Sequence, residues 1–319
     1  MKAIVNSRYG TPDVLALESV PPPRAGDVLV RVRAAVVTPP DCAARSGKPA
    51  FARLYFGLRR PRMTILGSLF AGEVVEVGKT ANGWAVGDRV IGHTTRFGAH
   101  AEYIRVGEDA AIGRIPESIS DESAVAIHDG AMTALPFLRE AANLQAGQRV
   151  LVIGASGATG TAAVQLATHI GAHVTAVCSG RNSDLVRSLG AESVVDYTME
   201  DFTRTGPYDV IFDTVNASSF GASKKALTRN GIYLTTVPST GILLRTLTSS
   251  RSKGTRAAIA FTGLRSTDAR VQDLATISEL AASRALLPVI DRRYSLEETP
   301  EAHRHVETGH KRGSVVITP

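Results

Sequence analysis

Between Arg149 and Cys178 the order of apolar and polar positions changes period twice. Val150–Ile153 is a short continuous apolar run, the pattern of a strand buried on both faces of a parallel sheet. From Thr161 to Ile170 the period becomes helical, with Val164, Leu166, Ala167 and Ile170 on one face, and Gly171 supplies a C-terminal stop. His173–Cys178 returns to a strand pattern. The turn Gly154-Ala-Ser-Gly157-Ala-Thr-Gly160 joins the first strand to the helix. The whole unit spans about 30 residues, the size of a dinucleotide-binding βαβ.

Upstream the pattern is different. Val28–Val37 alternates around Arg31 and Arg33, as a half-exposed strand does, and Gly72–Gly78 and Gly87–Gly92 are short strands bounded by glycines. Val20–Pro23 and Ala25–Asp27 read as turns. Ser120 is an N-cap followed by acids, opening an Ala-rich helical stretch to Leu144. Downstream come a helix over 183–189 and strands over 193–196, Tyr208–Asp213 and Gly231–Val237. A helix over 297–308 and the strand Ser314–Ile317 close the chain. An all-β first part followed by βα alternation predicts an α/β protein with a parallel, doubly wound sheet.

The glycine turn suits a pyrophosphate. Phosphates sit against backbone N–H groups at a helix N-terminus, where the dipole favours anions. A side chain at Gly157 would hold the phosphate away, and Gly160 lets helix and strand pack closely. The candidate contacts are Ala155, Ser156, Gly157, Ala158, Thr159 and Gly160, with Ala155 where the usual fingerprint has its first glycine. A ribose 2′-hydroxyl calls for a carboxylate at the end of the second strand. Here that end carries Ser179, Arg181 and Asn182, with no acid before Asp184. A hydroxyl and a guanidinium suit a 2′-phosphate, so NADPH is the expected cofactor.

At 319 residues the chain has room for two domains, and 44% hydrophobic content is ample for their cores. No apolar run approaches the length of a membrane span, so no membrane partner is expected. Met1-Lys-Ala-Ile-Val enters a strand pattern directly, without a signal-peptide pattern. Cys42 and Cys178 lie far apart and fit a reducing, cytoplasmic setting. The net charge of +6 is mild, and only Arg59-Arg60-Pro-Arg62 forms a cluster. A nucleic-acid partner is therefore not expected.

Val86-Gly-Asp-Arg-Val90, Gly98-Ala-His-Ala-Glu-Tyr103, the Gly154–Gly160 turn and the ending Gly309–Val316 stand in this order along nearly the whole chain. Together they resemble the medium-chain dehydrogenase/reductase superfamily, in its zinc-free quinone oxidoreductase (zeta-crystallin-like) branch. The resemblance implies a GroES-like β-barrel domain from residues 1–118, completed by 288–319, and a Rossmann domain over 119–287. It also implies a nicotinamide cofactor in the cleft between them. The positions where zinc-dependent relatives carry catalytic ligands are here Thr38, Ser68 and Asp129, which do not make a zinc site, and Cys42 is offset from them. Two departures remove the branch's usual groups: Gly67–Gly72 carries no acid, and Ala43 stands two residues after Asp41 where many members have a tyrosine.

The resemblance implies that Thr133, Val237, Pro238 and Ser239 face the nicotinamide and that Tyr197 stacks on adenine. His128 and Asp129 either deliver a proton or fix the helix start. Asp41 is the other acid of the substrate loop. Tyr55, in the run Phe51–Leu58, either donates a proton or lines a pocket. His93 and His100 read as structural, and His303 and His305 as surface residues of a terminal amphipathic helix. The expected function is metal-free, NADPH-dependent hydride transfer to a small enone, quinone or other activated C=C or C=O. The alternatives are a carbonyl or biosynthetic tailoring reductase, or a catalytically weak sensor or nucleic-acid-associated crystallin-like protein. A homodimer is expected through the apolar edge segment Arg256–Thr262.

Overall fold

The computed structural model describes every residue except 24–27, 79–82, 108–109, 238–241, 243–245, 247–253 and 261. The turn predicted at Ala25–Asp27 therefore lies outside the described residues. In chain order the elements are β1 (Lys2–Asn6), β2 (Leu15–Ser19), β3 (Val28–Val37), α1 (Pro39–Ser46), α2 (Arg53–Phe56), β4 (Leu69–Val77), β5 (Arg89–Thr94), β6 (Tyr103–Val106), β7 (Ala110–Arg114) and α3 (Asp121–Pro136). Then follow β8 (Arg149–Ile153), α4 (Ala158–Ile170), β9 (His173–Cys178), α5 (Ser183–Ser188), β10 (Ser193–Asp196), β11 (Tyr208–Asp213), α6 (Phe220–Ser223), β12 (Leu227–Thr235) and β13 (Arg256–Ala258). The chain ends with α7 (Thr267–Ala282), β14 (Ile290–Ser295), α8 (Thr299–Glu307) and β15 (Ser314–Thr318). Two compact units form: Met1–Asp129 with Ser266–Ser283 and Pro288–Pro319, and Gly130–Arg265 with Arg284–Leu287.

The first unit is the GroES-like barrel. Its larger sheet runs β14-β15-β3-β4-β5-β7 with β6 also on β3, and β1 and β2 form a separate antiparallel pair. β3 is central: Val28–Arg31 pair with β6, Ala35–Val37 with β15, and β4 lies along its other edge. That is why its C-terminal half is continuously apolar, while Arg33 is exposed and donates to Glu73 across the β4 pair at 2.8 Å. Val30, Val32, Phe70, Val74, Val315 and Ile317 are core residues of this unit.

The second unit carries a six-stranded sheet in the order β10-β9-β8-β11-β12-β13, every pair parallel. Numbered from β8 this is 3-2-1-4-5-6, the doubly wound dinucleotide-binding order. The predicted strand-turn-helix-strand is present as β8-α4-β9. Nearly every residue of α4 from Ala158 to Ala167 is buried, which explains a run of Ala, Gly and Thr in place of long side chains.

Several sequence expectations are corrected in detail. β12 starts at Leu227, four residues before Gly231, and its partner β11 shifts register between Tyr208 and Val210. α3 ends at Pro136 and passes into a π-helical turn, Phe137–Ala141, so the helical stretch does not run regularly to Leu144. His303 is not a surface residue: it is fully buried in α8, with Nδ1 3.4 Å from Cys42 Sγ. His305 is largely buried too, its Nε2 2.6 Å from Asp291 Oδ2. The apolar period of α8 marked Ala302 and Val306, and His303 shares their face.

Burial lowers the His128 pKa from 6.5 to about 4, and burial, with His100 and Arg45 nearby, takes His303 lower still. The unfolded chain therefore binds more protons than the native one below pH 6.5, and stability falls as the pH drops from there toward 4. Each such imidazole is expected to remove about 2 kcal/mol between pH 7 and pH 5. Urea unfolding of His128→Gln across that range should show a shallower loss by about this amount; an unchanged slope would contradict a buried neutral His128.

Candidate functional site

The C-terminal edge of the parallel sheet is built around the approach of β8 to α4. Gly154 has φ +76°, and a Cβ there would lie 2.7 Å from Val215 Cγ1 and 2.8 Å from Thr214 Oγ1. At Gly160 a Cβ would come within 2.1 Å of the Gly154 carbonyl oxygen and 2.7 Å of Ala155 Cα. Gly130 of α3 is equally tight, with a would-be Cβ 2.0 Å from the Ala158 carbonyl oxygen. Gly157 is different. Its φ is −78°, and a Cβ would meet only the Gly154 oxygen at 3.5 Å, an ordinary contact. Among the described residues no atom requires a glycine there.

Gly157 is also the N-cap of α4, and no side chain caps the helix. The amide of Thr161 bonds back to the Gly157 carbonyl at 2.8 Å. The amides of Ala158, Thr159 and Gly160 belong to the first turn, where helix geometry supplies no intrahelical acceptor. Their N–H groups and the helix dipole make an anion site. Ala155 is fully buried, its amide bonded to the Val177 carbonyl at 3.0 Å.

The residues predicted at the end of the second strand meet this turn. Asn182 is buried and donates from Nδ2 to Ser156 Oγ at 3.0 Å and to Ser179 Oγ at 3.2 Å. Its Oδ1 is buried without a partner. Arg181 is exposed and makes no ion pair among the described residues. Tyr197 follows β10 with 55% of its surface exposed, its amide bonded to the Cys178 carbonyl at 3.3 Å. A carboxylate does lie close by: Asp196, at the end of β10, sits 2.5 Å from a would-be Gly180 Cβ. It is engaged by Thr198, accepting from its amide at 2.9 Å and its hydroxyl at 2.7 Å, and these bonds hold its pKa below the usual range.

One loop at this edge was not anticipated. Asp213, fully buried at the end of β11, accepts from Val215, Ala217 and Ser218 amides and from the Tyr233 hydroxyl at 2.9 Å. Thr214 Oγ1 donates to the Ile153 carbonyl at 2.8 Å, and Thr236 Oγ1 to the Thr214 carbonyl at 3.1 Å. The ends of β8, β11 and β12 are thus tied together where the strand order reverses, the place where open α/β sheets bind ligands. The signal in the sequence was an acid ending an apolar strand, Tyr208–Asp213. Val237, 39% exposed, follows β12 at the same edge. Pro238 and Ser239 lie outside the described residues.

The other candidates fall into distinct environments. Asp41 is fully buried as the N3 residue of a capping box on α1. Its Oδ2 accepts from the amide of Thr38 at 2.8 Å and from the Thr38 hydroxyl, and its Oδ1 accepts from Gly67 N at 2.9 Å. His128 is buried with Nδ1 2.8 Å from the Ala124 carbonyl, and Nε2 3.3 Å from both the Leu274 carbonyl and Ser278 Oγ. It fastens α3 to α7. Asp129 contrasts with both: its Oδ2 is buried without a partner, although the residue keeps partial exposure. Burial raises its pKa, Lys311 and Ser314 pull it down, Asp41 pushes it up, and the net shift is upward. Half-buried Thr133 lies one helical turn beyond Asp129. Tyr55 is 54% exposed in α2, with its hydroxyl 3.4 Å from the Thr95 carbonyl. His93 accompanies Arg270 at 3.4 Å, and His100 lies 3.0 Å from the Val36 carbonyl. Among the described residues no group of three His, Cys, Asp or Glu side chains is placed to hold a metal ion.

A GroES-like barrel with a doubly wound dinucleotide-type unit defines a class, and comparison with known proteins narrows it. The alcohol dehydrogenase GroES-like domain family matches residues 24–117, and the zinc-binding dehydrogenase family matches residues 189–317. Over 341 residues the chain is 30% identical to a quinone-oxidoreductase homolog, chloroplastic, of Spinacia oleracea, covering 100% of this chain and 98% of the other. It is 30% identical over 335 residues to the NADPH-dependent alkenal/one oxidoreductase, chloroplastic, of Arabidopsis thaliana, covering 100% and 80%. The structure of the quinone oxidoreductase from Coxiella burnetii matches with a TM-score of 0.85 at 30% identity, over 100% of this chain and 99% of that one. The chain belongs to the quinone oxidoreductase branch of the medium-chain dehydrogenase/reductase superfamily.

The two helix glycines should separate in a thermal or urea unfolding experiment. Gly160→Ala forces backbone apart and should cost about 1–3 kcal/mol. Gly157→Ala should stay within about 1 kcal/mol of wild type, the loss of a tolerated N-cap. Equal destabilisation would show that both glycines serve packing alone.

Proposed function

We propose that the protein is a metal-free, NADPH-dependent reductase that transfers hydride to a small enone, quinone or other activated C=C or C=O. The observation that carries this reading is the uncapped first turn of α4, opened by a glycine that no atom of the described residues requires. The names of the relatives, a quinone-oxidoreductase homolog and an NADPH-dependent alkenal/one oxidoreductase, support the acceptor class.

The amides of Ala158, Thr159 and Gly160, with Ser156 beside them, hold the pyrophosphate. Ser179, Arg181 and Asn182 take the 2′-phosphate, while Thr198 engages one oxygen of the neighbouring Asp196. Tyr197 stacks on adenine. Thr133 and Val237 flank the nicotinamide, which supplies the hydride when the cofactor is bound. Asp129 is the proton donor we favour among the four candidates: its carboxyl has a raised pKa and one unpartnered oxygen, so it can hold a proton and offer it to the acceptor oxygen. Asp41 and His128 position loops and helices, and Tyr55 lines the approach. The reaction draws on no metal, since Thr38, Ser68 and Asp129 do not supply three zinc ligands. A cytoplasmic setting is supported by two cysteines that are buried and unpaired.

Gly157→Val should abolish NADPH binding and turnover, whereas Asp129→Ala should leave measurable activity, because positioning contributes more than a general acid's roughly 10²–10⁴-fold. Initial rates with a panel of enones, quinones and aldehydes decide this; no NADPH consumption with any of them would refute the proposal. Turnover should also withstand chelators.

NADPH should bind more tightly than NADH, and Arg181→Ala should narrow the gap by about ten- to a hundredfold, the worth of a charged hydrogen bond. Equal wild-type affinity for both cofactors in titration calorimetry would contradict the assignment.

β13 is the edge strand of the parallel sheet, and an apolar edge is normally covered. We therefore propose a homodimer formed there. Sedimentation at micromolar concentration should give twice the chain mass; a monomer would count against it.

A further inference from the structure

Between Asp41 and Glu73 the chain carries no carboxylate, but it carries Arg45, Lys48, Arg53, Arg59, Arg60 and Arg62. Two of these cations serve the fold. Arg45 is buried and donates to the Gly10 carbonyl and to Glu307. Arg53 lies over the Tyr9 ring at 4.7 Å and donates to the Gly47 carbonyl at 3.2 Å. Lys48, Arg59, Arg60 and Arg62 are exposed and form no ion pair among the described residues.

The same stretch exposes its large apolar side chains: Phe51 by 63%, Leu54 by 71%, Tyr55 by 54% and Leu58 by 64%. Single exposed apolar residues are normal, but a contiguous cluster marks an interaction site. The cluster is not a slack loop. Phe56 turns inward onto the core and meets Phe97 edge-on at 5.9 Å. The Tyr9 hydroxyl donates to the Gly57 carbonyl, and the Arg62 amide to the Phe56 carbonyl at 2.7 Å. Gly57, at φ +120°, closes this turn so tightly that a Cβ would lie 2.1 Å from the Arg60 carbonyl oxygen. The fold therefore fixes a turn whose tips are apolar and whose flanks are cationic.

We propose that residues 48–62 dock the protein onto an anionic lipid surface. Leu54, Leu58 and Phe51 enter the boundary between headgroups and acyl chains, while Lys48, Arg59, Arg60 and Arg62 meet lipid phosphates and carboxylates. A lipid surface is favoured over an acidic protein because separate, strongly exposed apolar tips need no shape-matched partner in lipid, whereas a protein partner would need a pocket for each. The expectation of no membrane partner rested on the absence of a spanning segment, and surface docking needs none. Among the described residues no helix is long and apolar enough to cross a membrane. Delivery of a lipophilic acceptor from the membrane would be the use of this site; that use rests on the reductase reading, but the docking does not.

Cosedimentation of the full chain tests this with vesicles of phosphatidylcholine alone and with about one third phosphatidylserine. The wild type should partition onto the anionic vesicles and be released by roughly 0.5 M salt. Each basic side chain at such a surface is worth roughly fivefold, so Arg59→Gln with Arg60→Gln should weaken partition roughly 30-fold. Leu54→Ser with Leu58→Ser should weaken it too; both double variants should keep the wild-type unfolding midpoint, and the arginine pair should keep the wild-type rate with a soluble short-chain quinone. No partition, or partition unchanged in both variants, overturns the proposal. Retention on immobilised polyglutamate without vesicle binding would assign the patch to an acidic protein and also overturn it. A wild type that binds vesicles but reduces no soluble acceptor would defeat the reductase reading and leave the docking intact.

Discussion

Backbone meets backbone on two sides of the first turn of α4, at Gly160 against the Gly154 carbonyl and at Gly130 against the Ala158 carbonyl. No side chain fits at either contact, and the helix can therefore run directly over the end of β8. Three consequences follow. The sheet can place β8 at its centre, with the strand order reversing beside it. The first-turn amides are left without a side-chain cap. And α3 is brought in at Gly130, one residue after Asp129.

Buried carboxyls in this chain differ by what surrounds their oxygens. Asp41 accepts from the Thr38 amide and hydroxyl and the Gly67 amide, and Asp213 from a fan of loop amides and the Tyr233 hydroxyl. Each uses its oxygens to hold a loop in shape. Asp129 has an oxygen left over, and burial without a donor raises a carboxyl's pKa. Acids with full sets of donors define the turns, and Asp129 keeps an oxygen that no donor of the described residues fills.

Much of this was legible in the sequence, for physical reasons. The β8-α4-β9 unit is local, and the change from strand period to helix period is written directly into consecutive residues. The Thr38 and Asp41 capping box is equally local, and its three-residue spacing is visible in the sequence. His303 was misjudged because a polar residue beside an apolar stripe reads as exposed, and only the Cys42 and His100 environments, contributed from far along the chain, make it a buried one. The Asp213 loop was overlooked because its partners are backbone amides, which no residue pattern announces. The environment of Asp129 likewise brings Ser314 and Lys311 from far along the chain, which no local pattern encodes.

The central claim is that an anionic cofactor rests on the bare amides at the start of α4. Amide NMR shifts of the ¹⁵N-labelled protein on titration with NADPH test it most directly. The account predicts that the resonances of Gly157, Ala158, Thr159 and Gly160 move together and early, with Ser156 and Asn182 beside them. Saturating binding that leaves those amides unmoved would contradict it.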